Sequence, residues 1–507
     1  MIWLNSNKLY LNTRKECLVC MEKKQEKRIE EYLNILQKEP ALYKVARGRV
    51  SDKNIDFAKA IYDVVFAPVL VCFVEWVLQE AKKKGIKRLY FLARDGYQMY
   101  LVAEQLCKQR KYDIECRYLY GSRYAWRMPQ FALMGESCLD MICLGGIGVT
   151  FEKVMKRGGL TDEEALTVAK ELGFEKKYKT TLSYQEIMKL KQPLAESKQF
   201  LPFVYEHSKS AYENTIGYLK QKGLLENVPY ALVDSGWVGS LQKTLQQLLC
   251  YAGYKKEIEG FYFGLYELPK GVKKENYYTY YFSPTTNIKK KVYFSNCLYE
   301  AVYSAPHGMT TAYEKIEETY QPVFYKEYNL NQARMKQMEQ WLREFLMEYQ
   351  KQESIWNKKK RLSNKKDILL ENQEKGSIKN ILLKQINCNK RLNIDEKRKQ
   401  EMVFSLLKKL MGNPLKEEVK IYGTLLFSDD VTEEQTKQVA DILTEQEIKN
   451  HQIWNKLRIM LGMKQAVLKE SAWMEGSIVD CGKNVKQNLH HAVMYKYLIY
   501  IRKAFKQ

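Results

Sequence analysis

Two acid-bearing turns hold the residue types that could do chemistry: Arg94-Asp95-Gly96 and Asp234-Ser235-Gly236-Trp237-Val238-Gly239-Ser240. Each acid follows a short apolar run, at 88–93 and at 229–233, and each is followed within two residues by glycine. A carboxylate at the carboxyl end of a strand can hold Mg²⁺ or a pair of sugar hydroxyls, and glycine lets the backbone come close to a ligand. Gly236, Gly239 and Ser240 stand just before a helical pattern at 241–250, so their N–H groups could face an anion at a helix N-terminus. Arg94 and Arg123, with Ser122 beside the latter, could clamp a phosphate, and Trp237 could stack on a sugar ring. Asp-Gly and Asp-Ser-Gly also write ordinary turns. Two such motifs at strand ends of one sheet favour a ligand site.

Among the five histidines, His307 lies between Pro306 and Gly308 on an expected loop, seven residues after Glu300. A His–Glu pair suits general acid–base work near neutral pH; a turn histidine with a structural hydrogen bond is the alternative. Neither acid motif is Asp-x-Asp, because Tyr97 follows Asp95 and Gly236 follows Asp234 at that position. Aspartyl-phosphatase chemistry is therefore not expected. The glycine cluster Gly145-Gly146-Ile147-Gly148 misses the dinucleotide spacing, since Phe151 stands where its last glycine belongs. Cys17-Leu18-Val19-Cys20 is a single CxxC and falls short of a four-ligand zinc site.

The elements that must position these residues alternate along the chain. Apolar spacing predicts a helix over 54–83, a strand at 88–93, a helix at 97–109 and a strand at 115–120. A largely helical stretch at about 130–225 carries capping boxes at Thr161-x-x-Glu164 and Ser183-x-x-Glu186. Strands resume at 229–233, 260–266 and 277–282. This order predicts an α/β fold, a mostly parallel sheet with flanking helices in a phosphoribosyltransferase-like or Rossmann-like outline. The run from Val233 to Ser240 is similar to the phosphate loop of type I phosphoribosyltransferases, with Ser235 where a second acid would stand. From about 328, Met338, Trp341, Leu342, Phe345 and Tyr349 form a helix stripe. A charged break is expected at 358–366, then helices near 377–388, 397–411, 432–449 and 485–504, with a capping box at Thr432-x-x-Gln435. The expected domains are a basic helical lead-in (1–53), an α/β ligand-binding domain (54–327) whose insertion could lid the sheet, and a helical, basic C-terminal domain (328–507).

The 507 residues allow two to four domains, and 45% hydrophobic content excludes wholesale disorder. The formal charge is +23, and residues 351–420 hold 19 Lys+Arg against 9 Asp+Glu. Such a stretch could meet an anionic membrane or be a solvated helical face. No RNP-like aromatic stripe or zinc-finger spacing accompanies it, which weighs against nucleic acid. Eleven scattered cysteines fit reduced thiols. The most apolar run, 64–74, has eleven residues and contains Pro68, whereas a membrane span takes about 20. With no signal-like leader in sight, a cytoplasmic protein is expected, touching a membrane only peripherally.

The segments KRLYFLARDGYQMY, YLYGSRYAWRMP, YALVDSGWVGSLQKTL and YEAVYSAPHGMTTAY, in this order, resemble the module that follows the phosphatase-like domain of haloacid-dehalogenase-superfamily proteins associated with bacterial surface-polysaccharide biosynthesis. The resemblance spans about 55–330 and continues more weakly through Asn413-Pro414, Tyr422-Gly423 and Trp473-Met474-Glu475-Gly476. No phosphatase-like domain precedes the module in these residues, so the resemblance implies a polysaccharide context without supplying a reaction. The expectation is a transferase-like protein handling a phosphorylated sugar or nucleotide-sugar, with Mg²⁺ on Asp95 and Asp234 and acid–base work by His307 and Glu300. The rival expectation is a non-catalytic sensing or scaffolding partner of glycosyltransferases.

Overall fold

A five-residue run buried along its whole length belongs in the middle of a parallel sheet, covered on both faces. Arg88–Leu92 (β1) is such a run. In the computed structural model of the chain it lies in a five-stranded, all-parallel sheet with Glu115–Leu119 (β2), Tyr230–Trp237 (β3), Glu259–Leu265 (β4) and Tyr277–Phe282 (β5), in the order β2-β1-β3-β4-β5. The structure describes residues 22–52, 55–145, 148–371, 378–427, 436–466 and 468–504, with side chains described outside 356–393. The CxxC at Cys17 and Cys20, the capping box at Thr432 and most side chains of the basic 351–420 stretch lie outside the described residues.

Alternation along the strands divides the interior. Leu89 and Phe91 of β1, with Ala231 and Val233 of β3, face a large core built on helix α1, Phe57–Lys83. Tyr90, Leu92, Tyr230 and Leu232 face the opposite layer. Helix α1 is the one helix among the described residues long and apolar enough to cross a membrane, and it is wholly buried in the protein. Two helices follow the first strands: α2, Gly96–Arg110, directly after β1, and the short α3, Arg123–Arg127, after the edge strand β2. The expected helical insertion is present. It includes α4, Phe151–Arg157, and both predicted capping boxes, and it has its own core from Phe131 to Val204. Helix α5, Phe200–Gln221, returns the chain to β3, and α6, Ser240–Tyr251, follows it. After β5, α7 (Asn296–Tyr303) leads to an antiparallel hairpin, β6 (Thr310–Ile316) and β7 (Thr319–Phe324), which the sequence reading did not anticipate.

Two long helices then run α8, Gln332–Glu371, and α9, Ile378–Gly412. The expected break at 358–366 is absent: α8 continues through it, because lysine is a good helix former. The pairs expected at 377–388 and 397–411 are one helix. Met335, Met338, Trp341, Leu342, Phe345 and Tyr349 of α8, Met402 to Met411 of α9 and Tyr32, Leu33 and Leu36 of the lead-in all enter the same core as α1. The boundaries expected near 53 and 328 therefore do not separate independent cores.

Candidate functional site

The strand order reverses direction at β1 and β3: one crossover from β1 leads outward to β2, the next leads to β3 on its other side. Ligands of open parallel sheets bind outside the carboxyl ends of the strands at this kind of switch point. Both sequence motifs lie there. Asp95 stands between β1 and α2, and Gly96 lets α2 start close against the strand: a Cβ there would sit 3.0 Å from the Phe91 carbonyl carbon. Ser235 Oγ donates to Asp95 Oδ2 at 2.5 Å, joining the two strand ends. Asp234 and Ser235 are buried, whereas Asp95 and Glu300 remain partly exposed.

Strand β3 runs four residues beyond its expected end at Val233, to Trp237, because β4 keeps pairing with it, Gly236 opposite Gly264 and Trp237 opposite Leu265. Gly236 thus serves neighbouring backbone rather than a ligand. Its φ is +109°, and a Cβ would fall 2.5 Å from the Gly264 carbonyl oxygen. Gly239, φ +68°, is the N-cap of α6 and makes no side-chain cap, so the first-turn N–H groups of α6, from Ser240 onward, have no capping side chain.

Trp237 takes a left-handed backbone (φ +69°) and packs among Tyr266, Phe282, Phe294 and Tyr299. Its Nε1–H donates to Glu300 Oε1. The indole is therefore a wall that holds Glu300, in place of the sugar platform expected of it. Glu300 is presented by α7, which Ser295 caps at 3.3 Å and which is tied down by Gln98 Nε2 to the Val302 carbonyl at 2.9 Å and Tyr303 Oη to the Phe66 carbonyl at 2.7 Å.

The expected Glu300–His307 pair does not form. Helix α7 ends at Tyr303, so the seven-residue spacing is not two helical turns. His307 Nδ1 meets the Gly308 carbonyl at 2.7 Å and so must carry the proton; Nε2 then accepts from Tyr118 Oη at 2.8 Å. Both ring nitrogens are spent, and burial, with Arg94 nearby, lowers His307 to about 4. This is the structural alternative for that residue. Ser122 is likewise spent: its hydroxyl caps α3 by accepting from Ala125 N–H at 3.0 Å and donates to the Thr310 carbonyl at 2.7 Å.

What converges at the switch point is a set of three carboxyls. Burial, then the Asp95 charge, pushes Asp234 up to about 8, against the Ser235 and Gly236 amides and Arg123. Burial and Asp95 push Glu300 to about 8 as well. Asp95 is raised by burial, opposed by the Ser235 hydroxyl, Arg94 and Arg123. Tyr299, wholly buried, has a hydroxyl with no hydrogen-bond partner among the described residues and feels both Asp95 and Asp234. The site therefore holds protons at neutral pH, and those protons can be given to a ligand or displaced by a cation. Among the described residues, no group of three or more His, Cys, Asp or Glu side chains is close enough to hold a metal by itself.

The sequence reading missed Tyr118, Tyr299 and Arg127. Tyr118 could have been suspected from strand alternation beside Tyr120, but a buried hydroxyl without a partner leaves no mark on sequence. No protein-family model and no curated protein sequence matches this chain.

Proposed function

We propose that the crevice between the ends of β1 and β3 binds a phosphorylated sugar or nucleotide-sugar, and that the chain acts as a transferase-like protein of surface-polysaccharide biosynthesis. The observation that carries this reading is the Ser235–Asp95 bond at the switch point, with Asp234 and Glu300 beside it. Protonated carboxyls donate to phosphate or glycosidic oxygens, and ionised ones accept from sugar hydroxyls. Arg94, Arg123 and the first turn of α6 supply the positive side. Glu300, near 8, replaces His307 as the group suited to move a proton at neutral pH. Mg²⁺ would rest on Asp95 or Asp234 and complete its shell with ligand oxygens and water. The surface-polysaccharide context rests on the motif resemblance alone. A thermal-shift screen of nucleoside-diphosphate sugars and hexose phosphates, with and without Mg²⁺, tests it: a ligand at 100 times its Kd adds about 2.7 kcal/mol. No shift with any member defeats the reading.

A second reading is favoured by a different feature. Trp454, Leu461 and Met463 are 73%, 68% and 74% exposed, and residues 449–469 carry five Lys/Arg and no Asp/Glu. An apolar knuckle in a basic setting suits docking on an anionic membrane, as a scaffold for glycosyltransferases would need. Salt-sensitive pelleting with phosphatidylglycerol vesicles, lost in Trp454→Ala, together with silence in the ligand screen, favours scaffolding over transfer.

A further inference from the structure

Buried arginines in this protein have carboxylate partners. Arg28 meets Glu418 at 2.9 Å, Arg49 meets Asp63 at 2.9 Å, Arg88 meets Glu115 at 2.6 Å and Glu226 at 2.8 Å, and Arg110 meets Glu75. Arg127 has no such partner among the described residues. Its Nε is sealed from solvent and has no hydrogen-bond partner among the described residues. The charges that act on it, Arg123 and Arg157, are both positive, and after burial they hold it down to about 10. Burying that N–H without an acceptor is costly, so a chain that keeps it there has a reason to.

The setting supplies that reason. Arg123 and Arg127 lie one turn apart on α3, on the same side of the helix. Arg123, exposed, also acts on Asp95, Asp234 and Glu300, so its charge is felt both in the carboxyl crevice and at Arg127. Arg157 ends α4 of the helical insertion and donates to the Ile142 carbonyl at 3.5 Å and to the Leu144 carbonyl. Three guanidiniums thus gather where α3 meets the insertion, and Arg127 is only half-buried, within reach of a ligand.

We propose that Arg123, Arg127 and Arg157 form an anion subsite for a phosphate or pyrophosphate group at the junction of α3 and the helical insertion. The subsite goes beyond the crevice reading and needs only an oxyanion. A planar guanidinium with no internal partner is preorganised for bidentate capture of phosphate oxygens. An anion held there draws the insertion, through Arg157, onto the sheet layer that carries the crevice.

The test is calorimetric titration of inorganic pyrophosphate into the full chain at low ionic strength. Arg127→Gln should weaken binding tenfold or more, and Arg127→Lys, which keeps the charge and loses the planar fork, should weaken it too. Pyrophosphate should also slow proteolysis within residues 131–199 of the unaltered chain and not of Arg127→Gln. Should Arg127→Gln fail to fold, Arg127→Lys and Arg157→Gln read the same loss. No pyrophosphate binding, or equal binding by the arginine variants, overturns the subsite. Binding lost in Asp95→Asn and kept in Arg127→Gln also overturns it and places the anion in the crevice instead.

Discussion

Asp95 Oδ2 accepts the Ser235 hydroxyl at 2.5 Å across the gap where the sheet's connections change direction. The two residues are 140 positions apart in the chain, and their strands are neighbours. Ser235 holds the place of a second acid in the loop it resembles, and here it spends its proton on the first. The bond fixes the Asp95 rotamer and partly offsets the burial that raises it.

Ser235→Ala removes the hydroxyl that donates to Asp95 and joins the ends of β1 and β3. Destabilisation of about 1–2 kcal/mol is expected. It should be larger at pH 8 than at pH 3, below the ordinary carboxyl range, because an ionised Asp95 without its donor is the costlier species. Urea unfolding at the two pH values checks this, and equal stability of variant and parent at both contradicts it.

Asp234 and Glu300 keep their protons in the folded state up to about 8, where unfolded carboxyls have long released theirs. Stability therefore falls as pH rises from the ordinary carboxyl range to about 8. Asp234→Asn should flatten that fall and raise stability at pH 8.5 by about 1–3 kcal/mol, with little effect at pH 4.5. A Tm-against-pH series measures it. A variant curve parallel to the parent's removes the buried-acid account.

His307 behaves in the opposite sense. Its folded pKa is depressed to about 4, so the stability it contributes is present above the ordinary histidine range and lost as pH falls toward 4. Ring ¹⁵N spectra of selectively labelled protein should show a neutral, Nδ1-protonated ring at pH 5.5. A ring that titrates near 6.5 contradicts the Tyr118–His307–Gly308 arrangement.

Gly236→Ala should cost about 2–4 kcal/mol. The added Cβ meets the Gly264 carbonyl at 2.5 Å, and φ there is +109°. A variant with unchanged denaturant midpoint rules out this close passage of β3 against β4.

Strong local signals made much of the sheet legible in advance. The apolar run at 88–92, the aromatic run at 277–282 and the capping boxes at Thr161 and Ser183 carry their own structure. Local turn chemistry misled where tertiary pairing won: Asp-Ser-Gly reads as a turn, yet β4 extends β3 through it. The β6–β7 hairpin was missed because its turn is Glu317-Glu318, with Glu317 at φ +53°, and carries no Asn-Gly or Asp-Gly signature. Asp95 and Asp234 were legible because acids after apolar runs mark strand ends. The partners of Glu300 and His307 were not, because sequence spacing cannot show that α7 stops at Tyr303. Arg127 is defined by a missing partner, which only the folded chain can show.

The most direct measurement is calorimetric titration of nucleoside-diphosphate sugars, with Mg²⁺ present, into the unaltered chain, Asp95→Asn, Asp234→Asn and, as a distant control, Trp454→Ala. A ligand site at the β1–β3 switch point predicts binding to the unaltered chain, a tenfold or greater loss in both aspartate variants, equivalent to about 1.4 kcal/mol or more, and none in the control. Equal affinity across all four proteins, or no binding by any sugar in the panel, contradicts it.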